Sequence, residues 1–210
     1  MKPPASSSPA ISAIAAEIEA HQRELLAFTR PFFGKTNLDI GCGNGITSFV
    51  HQRDLGIFPT LCDVTDIREA AARTFPFYRI DSGHLPFPDG SFDSSYVQYV
   101  LHHLRSTQAV GNLLAEAQRV ARRIIIVEEI AGERTNITRA KEFDREVNER
   151  IHPGAAMPVF KYYSQPEIGR LMEALRIPLE FHAVVSTGSA ENGFLETQVF
   201  VGDRALVVDP

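Results

Sequence analysis

The sequence predicts an α/β fold in which a mostly parallel sheet is covered by helices on both faces, and two patterns indicate it. From Asn37 to about residue 130, short apolar runs alternate with segments of helical periodicity, and strands joined by helical crossovers form parallel sheets. The run Ile124–Val127 is β-branched throughout, which is typical of a buried parallel strand. Near the C-terminus, Phe181–Ser186 and Phe194–Val201 flank a turn rich in glycine and asparagine. Such a pair predicts an antiparallel hairpin.

The individual elements follow from the spacing of apolar residues. Ile11–Thr29 is predicted to be an amphipathic helix because its apolar residues recur at helical intervals. Residues 1–10 are rich in proline and serine, and we expect them to form a flexible leader. The other predicted strands are Leu38–Ile40, Pro59–Cys62, Phe77–Ile80 and Ser94–Val100, and the other predicted helices are Ile46–Asp54, Asp66–Thr74, Thr107–Ala121, Thr138–Ile151 and Gln165–Leu175.

Length and composition limit the function classes. A chain of 210 residues has room for one domain of this type, which we place at 11–210. With 21 basic and 26 acidic residues the net charge is −5, which disfavours nucleic acid as a partner because phosphate binding relies on clustered Lys and Arg. Two cysteines, Cys42 and Cys62, give no disulfide framework, and no apolar run reaches the about 18 residues of a membrane span. We therefore expect a cytoplasmic protein that does not contact membranes.

The most informative motif lies where the first predicted strand of the sheet gives way to a helix. Residues 38–45 read Leu-Asp-Ile-Gly-Cys-Gly-Asn-Gly, and glycines at such a turn allow close approach of a ligand to the backbone. The dinucleotide fingerprint needs a further glycine where Ile46 stands, so binding of a nicotinamide dinucleotide is disfavoured. Asp63 follows 18 positions after Gly45, at the end of the second predicted strand of the sheet. A carboxylate at that position can accept hydrogen bonds from both ribose hydroxyls of a nucleoside.

Four markers in this order resemble the class I S-adenosylmethionine-dependent methyltransferases, in particular the small-molecule group similar to methyltransferase type 11. The first is the glycine motif, the second is Asp63, the third is Asp81-Ser82 within residues 79–87, and the fourth is the segment of residues 91–104 that ends Leu-His-His-Leu. The resemblance implies a Rossmann-like, doubly wound, mostly parallel sheet of seven strands with an antiparallel C-terminal hairpin strand. It also implies S-adenosyl-L-methionine as cofactor and S-adenosyl-L-homocysteine as product. The cofactor-binding residues expected on this basis are Asp39, Gly41, Cys42, Gly43, Asn44, Gly45, Asp63, Val64, Asp81, Ser82 and Gln98.

Two histidines follow the fourth predicted strand of the sheet and are candidates for the catalytic step. A neutral imidazole of His102 or His103 could remove a proton from the acceptor or orient it; the alternative is a pair in which one ring packs and the other is solvated. We predict no metal site because spacing along the chain supplies no third ligand.

The acceptor site is expected at the same rim. The long connection 131–164 is proposed as a substrate cover, because long connections at the carboxyl ends of parallel strands commonly carry function. The candidate substrate-contacting residues are Glu128, Phe143, Asn148, His152, Tyr162 and Tyr163.

These observations favour transfer of a methyl group to a small-molecule acceptor by in-line displacement, achieved mainly by positioning. No Asn-Pro-Pro-Tyr or Asp-Pro-Pro-Tyr follows the fourth predicted strand, where the chain reads Asp-Ser-Ser-Tyr, so exocyclic amines of DNA are disfavoured acceptors. The alternatives are a catalytically silent S-adenosylmethionine-binding partner or regulator, and with less support an RNA or protein methyltransferase. The sequence leaves both a monomer and a homodimer open.

Overall fold

In the computed structural model, residues 9–81, 83–151, 153–154 and 157–204 are described, with side chains from residue 16 onward. They form a sheet of seven strands in the order β3-β2-β1-β4-β5-β7-β6. The strands are β1 Asn37–Ile40, β2 Thr60–Asp63, β3 Phe77–Arg79, β4 Phe92–Gln98, β5 Ala121–Ile130, β6 Leu179–Ser186 and β7 Glu196–Asp203. The five helices within this part of the chain are α1 Pro9–Thr29, α2 Ile46–Leu55, α3 Thr107–Val120, α4 Ile137–Ile151 and α5 Gln165–Ala174.

The topology confirms the predicted fold class. Strands β1 to β5 pair in parallel, whereas β7 runs antiparallel to both β5 and β6. The strand order reverses between β1 and β4, so the crossovers from β1 to β3 and the crossover from β4 to β5 lie on opposite faces of the sheet. This arrangement opens a crevice at the carboxyl ends of β1 and β4, where α/β proteins of this type bind ligands.

Alternate residues of β5 face the two layers of the core. Ile124 and Ile126 are buried against α3 and α5, while Ile125 and Val127 are buried on the face that carries α1. Helix α1 contributes Leu25 to that second layer. Because both faces of the sheet are covered, β5 is apolar without alternation from Ile124 to Val127, which is the pattern typical of a buried parallel strand.

One predicted helix is wrong. Asp66–Thr74 was expected to be helical, yet only Ala70–Thr74 forms a turn of 3-10 helix. The Arg68 guanidinium donates hydrogen bonds to the Asp66 carboxylate over 2.8 Å and to the Phe75 carbonyl over 3.0 Å, and these bonds fix the backbone on either side of Arg68. The Glu69 N–H donates to the Asn44 carbonyl over 2.8 Å. These tertiary bonds replace the intrahelical ones and hold this segment against the loop after β1.

The remaining differences concern the ends of elements. Helix α1 begins at Pro9, two residues before its predicted start. Strand β5 is the longest of the described strands, extending past the predicted Ile124–Val127 at both ends because β7 pairs with it as far as Ile130. None of the described helices is both long enough and apolar enough to cross a membrane.

Candidate active site

The loop after β1 adopts the conformation that its glycines allow. Gly41, Gly43 and Gly45 have φ angles of 74°, 53° and 75°, which other residues rarely adopt. A Cβ atom at Gly41 would lie 2.5 Å from Cγ2 of Val100. The loop therefore passes the end of β4 closely, leaving no room for a side chain at Gly41.

Backbone hydrogen bonds couple this loop to the end of β2. The N–H groups of Gly41 and Cys42 both donate to the Cys62 carbonyl, over 2.8 and 3.2 Å. The Gly43 N–H donates to Oδ2 of Asp63 over 2.8 Å, and Oδ1 of Asp63 accepts from the Val64 N–H over 2.6 Å. The carboxylate is thus fixed beside the glycine loop, with lone pairs left on both oxygens for further donors.

Asp39 lies beneath the same loop and is buried with 3% of its surface exposed. Its Oδ2 accepts a hydrogen bond from the Ser48 hydroxyl over 2.5 Å. Burial raises the pKa of Asp39 to about 7; the Ser48 hydrogen bond lowers it and the nearby Asp63 charge raises it. A positively charged ligand group above the loop would stabilise the ionised form of this carboxylate.

The other expected cofactor residues border this loop or the neighbouring strand ends. Oδ1 of Asn44 accepts a hydrogen bond from the Ile46 N–H over 3.1 Å, at the start of α2. Val64 is 52% exposed beside Asp63. Gln98, at the end of β4, accepts from the Thr47 hydroxyl over 3.4 Å. Asp81 lies in a shallow hollow that is lined in part by Leu104. Ser82 lies outside the described residues.

Both cysteines are free and buried. Cys42 packs with Leu61, Ala72 and Phe75, and Cys62 belongs to the main core. Burial raises the pKa of each thiol well above its ordinary value, so neither is a thiolate at neutral pH. Only the backbone of Cys42 is available to a ligand at the loop.

His102 is buried at the start of the connection after β4 and pairs with Glu128 of β5. Its Nδ1 lies 2.6 Å from Oε1 of Glu128, and the two side chains are 1% and 0% exposed. The same carboxylate accepts the N–H groups of Leu101 and Glu129 over 2.8 and 2.7 Å. Burial by itself lowers the pKa of His102, but the charge of Glu128 and the proximity of Asp144 raise it to about 10. An imidazole held in this way is a poor general base at neutral pH.

His103 lies beside His102, with the two ring centres 4.1 Å apart. Burial and the neighbouring His102 lower the pKa of His103, so this imidazole is neutral at neutral pH. Its Nδ1 lies 3.3 Å from the carbonyl oxygen of Pro158. Of the two histidines, His103 is therefore the one whose protonation state suits a proton acceptor.

The connection 131–164 packs over these histidines through α4 and the segment that follows it. The N–H of Phe160 donates to the His102 carbonyl over 2.9 Å, and the Tyr162 ring centre lies 5.4 Å from that of His102. Tyr162 is 5% exposed and donates from its hydroxyl to the Ala140 carbonyl over 3.2 Å. Asn148 is half-buried and donates to Asp144.

The remaining cover candidates are placed differently. Phe143 is half-buried on α4. Tyr163 is 1% exposed and packs in the main core, so its ring supports the sheet and does not face the rim as expected. His152 lies outside the described residues.

Several residues of the site carry no recognisable signal in the sequence. Tyr99, directly after β4, has a φ angle of 55°, a strained conformation for a residue with a large side chain. Its hydroxyl lies 2.6 Å from Nε2 of His21, which brings α1 to the rim of the site. Burial raises the pKa of Glu129, the neighbour of Glu128, to about 7; His102 lowers it, and the charges of Glu128 and Asp144 raise it.

Comparisons with known proteins bear on this arrangement. Residues 38–124 match the family model described as a methyltransferase domain. That segment contains the glycine loop, Asp63 and the two histidines. The seven-stranded sheet has the Rossmann-like fold of S-adenosylmethionine-dependent methyltransferases. No curated protein matches the chain.

The chain is similar in fold to solved structures of low sequence identity. A methyltransferase from Methanosarcina mazei that is described as SAM-dependent has a TM-score of 0.66 and 18% identity, covering 84% of this chain and 96% of its own. Geranyl diphosphate C-methyltransferase from Streptomyces coelicolor, solved with Mg²⁺, geranyl diphosphate and S-adenosyl-L-homocysteine, has a TM-score of 0.66 and 14% identity, over 97% and 87% of the two chains.

A third similar structure comes from the complex between the Trm112 methyltransferase activator and a methyltransferase of Haloferax volcanii. Its TM-score is 0.63 at 15% identity, covering 92% of this chain and 95% of the matched one. At these identities the comparisons establish the fold of the chain, while its function must be argued from the site.

Proposed function

We propose that this protein is an S-adenosyl-L-methionine-dependent methyltransferase that acts on a small organic acceptor. The observation that carries the proposal is the hydrogen bond from the Gly43 N–H to Asp63, which fixes a carboxylate beside a loop in which three of five residues are glycine. That geometry suits a nucleoside whose ribose hydroxyls donate to Asp63. Structures similar to the domain, such as geranyl diphosphate C-methyltransferase with S-adenosyl-L-homocysteine, support the same cofactor.

The residues present fit this cofactor along its whole length. The backbone at Gly41 and Gly43 can approach a ligand closely because neither residue carries a side chain. Asp39 supplies negative charge below the loop for a positively charged amino acid portion, and Gln98 lies at the same end of the sheet. Asp81, with the apolar hollow that includes Leu104, is assigned to the adenine.

The bound cofactor supplies an electrophilic methyl group on a sulfonium. Transfer of that group to an acceptor would leave the electron pair of the carbon–sulfur bond on sulfur. The protein has to align the acceptor and exclude water, and such positioning can contribute about 7–11 kcal/mol. We assign Tyr99, His103 and Glu129 to the acceptor side, where Glu129 is suited to take a proton that the acceptor loses and His103 to orient the acceptor.

The connection 131–164 is proposed as the cover over the acceptor. It contacts the site through the bond from Phe160 to the His102 carbonyl and the packing of Tyr162 on His102. Arg150 of α4 also pairs with Glu17 of α1 over 2.8 Å, so the cover and α1 meet at the rim. We infer that acceptor choice resides in these two segments. The acidic net charge of −5 favours a small molecule over RNA as acceptor.

The proposal is tested by measuring methyl transfer from the labelled cofactor to pools of unlabelled acceptors. Purified protein is incubated with methyl-labelled S-adenosyl-L-methionine and fractions of small metabolites, and both S-adenosyl-L-homocysteine and labelled products are measured. Label transfer to a small molecule, lost in Asp63→Ala, is the expected result. Cofactor binding without transfer to any fraction would instead support a silent binding protein, and label in RNA or protein would move the acceptor to those classes.

A further inference from the structure

A cluster of metal-ligating side chains lies beside the proposed acceptor position. His102, His103 and Asp144 each offer one ligand atom, and these atoms all lie within 4.8 Å of one another. The sequence supplied only the first two residues. Asp144 joins them because α4 packs its buried face, which includes Ala140, over the end of β5.

Each member of the cluster is oriented by a partner on its other side. Nδ1 of His102 lies 2.6 Å from Oε1 of Glu128, and Nδ1 of His103 lies 3.3 Å from the Pro158 carbonyl oxygen. Oδ2 of Asp144 accepts from Asn148 over 3.0 Å. Such outer partners fix the ring orientation and tautomer of metal-binding histidines, here leaving both Nε2 atoms to face a ligand.

The buried Nε2 of His102 faces the third member of the cluster. It makes no hydrogen bond of standard geometry to any described residue, and it lies 3.5 Å from Oδ1 of Asp144. The carboxylates of Glu128 and Asp144 on either side favour a positive charge at this position, which a metal ion can supply in place of a proton on His102.

From this geometry we propose that His102, His103 and Asp144 bind a divalent transition metal ion of the zinc class. Two imidazole nitrogens and one carboxylate oxygen suit Zn²⁺, Co²⁺ or Fe²⁺, whereas Mg²⁺ and Ca²⁺ prefer oxygen ligands alone. Metal–nitrogen bonds of about 2.1 Å place the ligands of one ion about 3 to 4 Å apart, so small side-chain rotations close the site. The half-buried His103 provides the route from solvent.

Three protein ligands leave coordination positions for another molecule, which is the arrangement of catalytic metal sites. The ion would hold an oxygen of the acceptor beside the end of β4, and this use of the site rests on the proposed function. Metal binding itself does not rest on the proposed function, so the metal site and the proposed function can be disproved separately.

The test is titration of tag-free, chelator-treated protein with Co²⁺, followed by its visible absorption spectrum, and with Zn²⁺ in competition. The wild type is expected to bind one equivalent of Co²⁺ and to show the visible absorption of Co²⁺ in a site of low symmetry. Excess Mg²⁺ is expected not to displace the bound Co²⁺. The variants His103→Ala and Asp144→Asn are expected to weaken binding at least about tenfold, since each removes or neutralises one ligand. His84→Ala removes a histidine that is 72% exposed and outside the cluster, and serves as the matched control.

Circular dichroism checks that each variant is folded. His103 is replaced rather than the fully buried His102, because a substitution at His103 disturbs the core less. The proposal is overturned if the wild type binds no Co²⁺, if neither ligand variant changes the affinity, or if His84→Ala weakens binding as much as they do. In each of those cases the cluster is a charged structural contact between α4 and the sheet.

Discussion

The Asp63 carboxylate accepts the N–H of Gly43 over 2.8 Å, which joins the end of β2 to the centre of the glycine loop. The acid therefore has two roles, holding the loop and presenting lone pairs to a ligand. Its bonds are to backbone groups, and they add to the two hydrogen bonds that hold Gly41 and Cys42 on the Cys62 carbonyl.

Replacing Asp63 separates these roles. Asp63→Ala is expected to weaken S-adenosyl-L-methionine binding at least about a hundredfold, because two hydrogen bonds to a charged group are lost. Asp63→Asn retains one oxygen for the Gly43 N–H and should lose less. Calorimetric titration measures both affinities.

Asp93 provides the matched control for Asp63. Its carboxylate also holds a neighbouring loop, accepting the N–H and hydroxyl of Thr36 over 2.9 and 3.0 Å, but it lies at the opposite end of the sheet. Asp93→Ala should lower stability while leaving the cofactor affinity unchanged. Equal affinities in Asp63→Ala and the wild type would show that Asp63 is not a cofactor ligand.

Gly41→Ala tests the close approach of the loop to β4. The added methyl group meets Val100 in a backbone conformation with positive φ, so we expect a loss of stability of about 2 kcal/mol or more together with loss of cofactor binding. Gly56 has a similar φ of 71° with open space around its Cβ position. Gly56→Ala should therefore cost about 1 kcal/mol and leave binding intact, and urea unfolding with cofactor titration distinguishes the two. Similar behaviour of both variants would contradict the proposed steric contact.

Asp39 makes cofactor binding depend on pH. Because burial raises its pKa to about 7, most of the carboxylate is protonated at about pH 6 and ionised at about pH 8. A cationic ligand binds the ionised form, so affinity is expected to rise up to about tenfold across this range. In Asp39→Asn the pH dependence should be flat and the affinity low; a wild-type affinity that does not change with pH would exclude this role.

The raised pKa of Asp39 affects the stability of the ligand-free protein in the opposite direction with pH. The folded-state pKa of Asp39 lies above its unfolded value of 3.8, so the free energy of unfolding falls as the pH rises from about 4 to about 7. Urea unfolding of the ligand-free wild type and Asp39→Asn should show this slope in the wild type alone.

His51 makes the fold sensitive to acid. It is buried between Phe33 and Tyr96, with ring centres 4.7 and 4.9 Å away, and burial lowers its pKa from 6.5 to about 3. Below about pH 6.5 the unfolded chain takes up a proton that the folded chain does not. The free energy of unfolding should therefore fall by about 2 kcal/mol more in the wild type than in His51→Leu between about pH 7 and about pH 5. Parallel acid profiles of the two proteins would contradict this burial.

Hydrophobic patterning was sufficient to predict the seven strands in their order along the chain. The glycines within residues 38–45 predict a tight turn that a ligand can approach closely, and in the structure all three adopt positive φ. The predicted helix at Asp66–Thr74 failed because Arg68 bonds across the segment to Asp66 and Phe75 and Glu69 bonds to the distant Asn44, which no local propensity reveals.

The acceptor side was harder to predict for the same reason. Asp144 meets His102 only after α4 docks, and neither its position in the sequence nor the amphipathic pattern of α4 indicates that contact. The strained Tyr99 is equally invisible, since its conformation is imposed by the backbone bond from its N–H to Val127 and by the contact of its hydroxyl with His21.

The central claim is that the loop after β1 and Asp63 bind S-adenosyl-L-methionine. Calorimetric titration of the purified protein with this cofactor, with S-adenosyl-L-homocysteine and with NAD tests it most directly. We predict saturable binding of the first two at micromolar concentrations and none of NAD. Binding of NAD alone, or of none of the three in protein shown to be folded, would contradict the assignment of the site.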